Sequence, residues 1–386
     1  MCRRRAGLLD GTGKGVREVD FDFTEDQVKF REKAREFAER EFTPELARMF
    51  DREEKYPDEI RKKAHAEKVI DYSDPWKVLI AIEELCRQDA GLGISATVPY
   101  FGEEVIMLFG SDHLKEKYLN PVNEGRSMMG LAVTEPGGGS DVAGLKTTAR
   151  KEGKNYIING AKMFITSGSI ADFFVMLVRT SEEEKRHHGL SAFVVESGFP
   201  GFKANKLKGK LGVRATDTAE LELNNVVVPE ENLIGEEGKG FYYIMTFFNI
   251  SRIFVAGQGI GIAQGAFDRA ISILKRKGRE YYEKEDIQFA IADMATQLQA
   301  ARLITYKAAS YLFNFKPDPT VTSMAKKYAA ETAVFVAEKA LEITGVDGIS
   351  SDLERFYRDA KILEIWEGTS EVEKLIISRN IVKEAQ

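Results

Sequence analysis

Residues 131–141 read Leu131-Ala132-Val133-Thr134-Glu135-Pro136-Gly137-Gly138-Gly139-Ser140-Asp141, and the periodicity of the chain changes around them. On their amino-terminal side the pattern is helical. Thr24-Glu25-Asp26-Gln27 is a capping box, a Thr N-cap with Gln three residues on, and Phe30, Ala34, Phe37 and Ala38 follow at helical spacing. A helix is expected over about 24–44, with further helical patterns over about 75–90, 97–109 and 112–124. On the carboxy-terminal side the runs are short, apolar and β-branched: Tyr156-Ile157-Ile158, Phe173 to Val178 and Ala192 to Val195. Asn159-Gly160, Gly189, Pro200-Gly201 and Asn224-Asn225 punctuate them. Helical spacing returns from about Gly238, with Ile287, Ile291, Met294 and Leu298 on one face and Val334, Ala337 and Leu341 on another. Long helices with short connections suggest an antiparallel bundle. The expected class is mostly α with a β domain: a disordered tail over 1–19, an N-terminal helical domain over 20–126, a middle β domain over 127–235 and a C-terminal helical bundle over 236–386.

The bulk numbers exclude several alternatives. With 386 residues, the chain is long enough for two or three packed domains. No unbroken run of about 18 apolar residues occurs, so no spanning helix is expected. A formal net charge of −6 gives no support for a nucleic-acid partner. The two cysteines, Cys2 and Cys86, provide neither a disulfide framework nor a thiolate metal site. The histidines, His65, His113, His187 and His188, are not at metal-ligand spacing, so no metal is expected. The simpler compartment is a reducing, intracellular one. Arg3-Arg4-Arg5 followed by Gly-rich sequence lacks the apolar core and helical pattern of a presequence, and reads as a tail or a misassigned start.

Three stretches carry candidate chemistry. Gly137-Gly138-Gly139 lets a backbone approach a ligand closely and turn N–H groups toward an anion, while Thr134 and Ser140 add hydroxyl donors; the same letters also read as a plain surface turn. It is neither a P-loop nor a dinucleotide fingerprint. Phe164-Ile165-Thr166-Ser167-Gly168 ends a strand, and its aromatic and hydroxyl suit a flat cofactor, although alone it is more often an ordinary strand end. In Ile365-Trp366-Glu367-Gly368-Thr369-Ser370 a carboxylate stands between an indole and a glycine, well placed for a raised pKa. That stretch also reads as a helix start with Glu367 a solvated loop acid.

At these places the chain resembles the acyl-CoA dehydrogenases, from about Phe21 to Val382. Ala132-Val133-Thr134-Glu135-Pro136 followed by Gly139-Ser140-Asp141 is similar to the first family signature, and Phe164-Ile165-Thr166 to its flavin strand. Leu211-Gly212-Val213-Arg214-Ala215-Thr216-Asp217-Thr218 and Trp366-Glu367-Gly368-Thr369 resemble two more. The resemblance implies FAD between the β domain and the carboxy-terminal bundle. Val133 and Thr134 would face the pyrimidine side of the flavin, Thr166 its N5, and Phe164 would cover the ring. Thr369 would reach the cofactor, Ser140 the phosphate and nucleotide end of the ligands, and Arg252 would support the catalytic loop. The implied reaction is α,β-dehydrogenation of an acyl-CoA thioester to the 2-enoyl-CoA. Glu367 takes the α-proton, the β-hydride goes to flavin N5, and an electron-transfer flavoprotein takes the electrons. One branch of the family draws its base from the helix around Arg252; here Asn249, Ile250 and Ser251 are non-acidic, which leaves Glu367.

The chain also departs from the family. Where relatives carry an Arg-x-x-Phe-Gly stretch that reaches the FAD pyrophosphate of a neighbouring subunit, this chain has Lys275-Arg276-Lys277-Gly278-Arg279-Glu280-Tyr281-Tyr282. The arginine position falls on Lys277, which lacks a bidentate fork. Glu342 stands before Ile343-Thr344-Gly345 where relatives often have Gln, and a carboxylate there repels pyrophosphate unless it is paired or points away. A family loop is missing near 70, and Phe313-Asn314-Phe315-Lys316 joins two helices tightly. Tyr100, Phe101 and Trp366 are expected near the acyl group, which favours short, branched or cyclic acyl chains, with Gly368 beside the substrate; their other reading is core packing. Glu103 and Glu104 disfavour a dicarboxylic substrate. A homotetramer is expected by resemblance, in the cytoplasm of a prokaryote or the mitochondrial matrix of a eukaryote. Two alternatives stay open: a heterotetramer subunit with an incomplete FAD site, and an oxygen-using flavoprotein oxidase on the same scaffold.

Overall fold

The computed structural model describes residues 23–385, so the tail expected over 1–19 lies outside the described residues. Helix α1 (Glu25–Glu41) opens on the expected capping box, with Thr24 accepting from the Gln27 N–H and Gln27 reaching back to the Thr24 N–H. Two helices without a periodic signature follow. In α2 (Pro44–Glu53), Thr43 caps and Pro44 supplies a preset φ at the first turn; α3 (Asp58–Ala66) starts after Pro57. Then come α4 (Pro75–Gln88) and α5 (Ala90–Thr97). The helix expected over 97–109 is instead a 3₁₀ turn at Val98–Tyr100 and a separate α6 (Glu103–Phe109). Pro99 and the left-handed Gly102 (φ 101°) break it. Residues Ala90–Phe109 reach a mean hydropathy of 1.2, the value of a membrane-span candidate, but this break and their burial make them core.

Eight strands occupy the middle of the chain: β1 (Met129–Ala132), β2 (Thr148–Glu152), β3 (Asn155–Thr166), β4 (Phe173–Arg179), β5 (Leu190–Glu196), β6 (Phe202–Lys206), β7 (Thr218–Pro229) and β8 (Leu233–Ile234). They form one sheet ordered β6-β7-β3-β2-β4-β5-β8, with β1 parallel to β4 off that path. Strand β4 is buried along its whole length, as its unbroken apolar run requires.

The rest is helical: α7 (Gly240–Lys277), α8 (Glu285–Phe313), α9 (Pro319–Thr344), α10 (Leu353–Ala360) and α11 (Ser370–Glu384). One core joins α4 to this bundle. Gly257, Gly261 and Gly265 lie four apart on α7, and a Cβ at any of them would strike α4 or the segment just after it, beginning with Leu79 at 2.6 Å from Gly257. Their absent side chains set the close approach of the two helices. The buried pair Arg355–Asp89 and the half-buried pair Arg302–Glu83, both at 2.8 Å, tie the bundle to the amino-terminal helices.

Candidate active site

Glu367 stands between a 3₁₀ turn at Lys361–Glu364 and the start of α11, where the Thr369 hydroxyl accepts from the Val372 N–H at 3.3 Å. Two consecutive left-handed residues, Glu367 (φ 55°) and Gly368 (φ 102°), make the corner. For a side-chain-bearing residue that conformation costs about 1–2 kcal/mol, so its surroundings must hold it. Arg252 Nε donates to the Glu367 carbonyl at 3.0 Å, and Lys326 Nζ donates to the Gly368 carbonyl. Glu373, buried on α11, pairs with Arg252 at 3.0 Å. On the side chain, Ser251 Oγ donates to Glu367 Oε2. The residue keeps some exposed surface, but its carboxyl is enclosed. Desolvation pushes its pKa up to about 7, against the Ser251 hydrogen bond and the charges of Arg252 and Lys326. Glu367 is thus not a solvated loop acid, although a helix does start at Ser370. Beside it Trp366 packs against the core with its indole N–H buried and without an acceptor.

The glycine loop is anchored from below. Glu135 accepts from the N–H groups of Lys146 (2.6 Å) and Thr147 (2.9 Å), and pairs with fully buried Lys162 at 3.0 Å. Lys162 also donates to the Val133 carbonyl at 3.0 Å. Met163 N–H bonds the Thr134 carbonyl at 2.8 Å, within a bulge where the β3–β7 register shifts between Lys162 and Ile165. The bulge turns Phe164 to φ 60° and leaves the residue 66 % exposed, although Ile165 beside it is core. Val133 is buried, Thr134 and Thr166 are half-buried, and Ser140 is exposed; a Cβ on Gly137 or Gly138 would meet nothing within 4 Å. An outward aromatic, hydroxyls beside it and an open glycine cradle fit a flavin nucleotide.

Around the corner, the Tyr100 ring lies tilted against Tyr72 at 4.2 Å and its hydroxyl bonds His65 Nδ1 at 2.9 Å, while Phe101 meets Phe247 of α7 edge-on at 5.1 Å. That places Phe101 one helical turn from Ser251. Glu103 and Glu104 follow, with burial raising their pKa values to about 8 and about 7, and the Glu367 charge adding to the shift of Glu104. The other end of the bundle differs. Lys277 pairs with Asp347 at 2.9 Å, Glu342 with Lys339 at 2.6 Å, and Gly345 is the left-handed residue (φ 61°) that ends α9. The Leu211–Thr218 motif is a clasp: the Val213 N–H bonds buried Asp359 at 2.5 Å, and Lys210 takes the Val213 and Thr216 carbonyls at 3.0 and 2.7 Å. Sequence reasoning set Ser251 aside as non-acidic and passed over Lys326 and Glu373. The signal for Lys326 was present, since it falls on the same helical stripe as Ala325, Ala329 and Ala333.

Three family models match in succession: acyl-CoA dehydrogenase N-terminal domain over residues 24–126, middle domain over 130–226 and C-terminal domain over 238–382. The chain belongs to the acyl-CoA dehydrogenase family. It is an oxidoreductase of the CH–CH class, and FAD is the cofactor of its family. It is 38% identical over 381 residues to the short-chain-specific acyl-CoA dehydrogenase of Clostridium acetobutylicum, covering 95% of this chain and 100% of the relative. Butyryl-CoA dehydrogenase from Megasphaera elsdenii superposes with a TM-score of 0.89 at 34% identity, covering 94% and 100% of the two chains. A chain solved in work on the electron transferring flavoprotein of Acidaminococcus fermentans matches with a TM-score of 0.89 at 36% identity, covering 94% and 99%.

Proposed function

We propose that this acyl-CoA dehydrogenase desaturates short acyl-CoA thioesters, with Glu367 as the base that removes the α-proton. The observation that carries the reading is an enclosed carboxyl, raised to about 7, on a corner held by Arg252 and Lys326. A carboxylate so raised is a stronger base than one in water, and about half of it is still ionised at neutral pH. The Glu367 N–H has no partner among the described residues, which leaves a donor for the thioester oxygen, where charge develops as the α-proton leaves. Val133, Thr134, Phe164, Thr166 and Thr369 would hold FAD. When bound, FAD supplies the acceptor for the β-hydrogen. Tyr100, Phe101 and Trp366 would bound the acyl group and exclude water from Glu367. The C. acetobutylicum and M. elsdenii relatives favour a short acyl chain, and the A. fermentans match favours an electron-transfer flavoprotein as acceptor.

The test is anaerobic mixing of the flavin-loaded enzyme with butyryl-CoA, followed by flavin absorbance. Glu367→Gln is expected to slow bleaching by roughly 10²–10⁴. An unchanged rate removes Glu367 from the reaction.

A further inference from the structure

We propose that Lys326 is a positioning residue for Glu367: its ammonium clamps the Gly368 carbonyl, fixing the left-handed corner, and its charge favours the ionised form of the neighbouring carboxyl. This rests on the reading of Glu367 as the base.

Lys326 lies on α9, fully buried, and its one hydrogen bond to the protein among the described residues goes to the Gly368 carbonyl. A buried ammonium with a single backbone partner needs carboxylates near it. Glu373 and then Glu367 contribute most to favouring its charge, while desolvation lowers its pKa to about 8. Neither is within ion-pair distance, since Glu373 is taken by Arg252. The corner is therefore held from two helices. Arg252 of α7 takes the Glu367 carbonyl and Lys326 of α9 takes the next one. With both carbonyls turned to the cations, the Glu367 N–H between Trp366 and Glu367 is left without a protein acceptor.

The charged and polar groups around the carboxyl come from every packed element: Ser251 and Arg252 on α7, Lys326 on α9, Glu373 on α11 and Glu104 on α6, with Glu364 facing Lys326. Arg252 and Lys326 both favour the ionised form of Glu367. Arg252 shares its charge with Glu373 in a direct ion pair, whereas Lys326 has no such pair.

The test is the pH dependence of Glu367 in the resting holoenzyme, read from the carboxyl infrared band (each form minus the same form carrying Glu367→Gln) and from the acid limb of the bleaching rate. Lys326→Gln keeps a donor for the Gly368 carbonyl but loses the charge. Its acid limb is expected to move up by about 1 pH unit or more, the usual size for one nearby opposite charge. Lys326→Arg keeps the charge, so its limb stays in place while kcat falls through misfit at the carbonyl. If Lys326→Gln does not accumulate folded, Lys326→Met, apolar and close in volume in the same buried place, is read instead, with the limb likewise expected to move up. A limb that stays put in Lys326→Gln, or in Lys326→Met where that variant replaces it, overturns the proposal and reduces Lys326 to packing. A fast Glu367→Gln enzyme instead overturns the base assignment itself.

Discussion

The glycine loop and the Glu367 corner are built with the same device and finished differently. Each is held by a fully buried lysine that donates to a backbone carbonyl, Lys162 to Val133 and Lys326 to Gly368. Desolvation lowers both lysines to about 8. Under the glycine loop the device is closed. Lys162 meets Glu135 at 3.0 Å, and the pair plus two backbone N–H groups outweigh burial and hold Glu135 below its usual range. At the corner it is left open. Lys326 has no direct carboxylate partner, and both Glu367 and Glu373 are raised by burial. A satisfied buried pair makes an inert scaffold, whereas an unsatisfied one leaves a carboxyl poised near neutral pH.

The sharpest way to break the contrast is Gly368→Ala. Its φ of 102° disfavours any side chain, and a Cβ there would collide with the Glu373 carboxylate that pairs with Arg252. The corner must then move, and a displacement of about 1 Å at the base costs on the order of 10² in rate. Stopped-flow bleaching is expected to show that loss or more. Retention of wild-type rate would mean the corner is not held as described.

Lys162→Met probes the closed device. It leaves Glu135 buried with its two N–H donors but no counter-charge, and breaking a buried pair in this way costs about 3–5 kcal/mol. Urea unfolding of the flavin-loaded protein at pH 7 is expected to show that loss, while the acid limb of bleaching stays where it was. The Glu135 contribution has a defined sign. Its pKa is lowered in the fold, so its stabilisation is complete above the ordinary carboxylate range and is lost as pH falls through the depressed value. The wild-type advantage over Lys162→Met should therefore shrink in acid.

The difference between the two devices also explains what could be read from the letters. The residues proposed to do chemistry in a fixed local order, Thr134 through Ser140, Phe164 to Thr166 and Trp366 to Thr369, carry short motifs that can be read from the letters. The residues that hold them come from distant helices and have no local pattern. Lys326 and Ser251 meet the corner only because α9 and α7 pack side by side. Their trace in the sequence is indirect: a lysine on an alanine stripe, and glycines four apart at 257, 261 and 265 that announce a close helix crossing. Helices α2 and α3 were missed for another reason, since they are short and only their Thr43-Pro44 and Pro57-Asp58 starts mark them. The departures at Lys277 and Glu342 were legible as departures. In the fold each is engaged within its own chain, Lys277 with Asp347 and Glu342 with Lys339, so the Glu342 charge is at least paired.

The smallest expected effect comes from Ser251→Ala. Its hydroxyl donates to Glu367 Oε2, a bond only the ionised carboxylate accepts at full strength. Removing it withdraws support from the charged form, so the Glu367 pKa rises from about 7. A hydrogen bond worth about 0.5–1.5 kcal/mol corresponds to an upward shift of roughly 0.4–1 pH unit. Bleaching at pH 8 should then be close to wild type, while at pH 6 it should fall by several-fold because less of the base is ionised. Glu367 keeps its place, since Arg252 and Lys326 hold the backbone and not the hydroxyl. A rate reduced equally at both pH values would instead mean that Ser251 orients the carboxyl and leaves its charge alone.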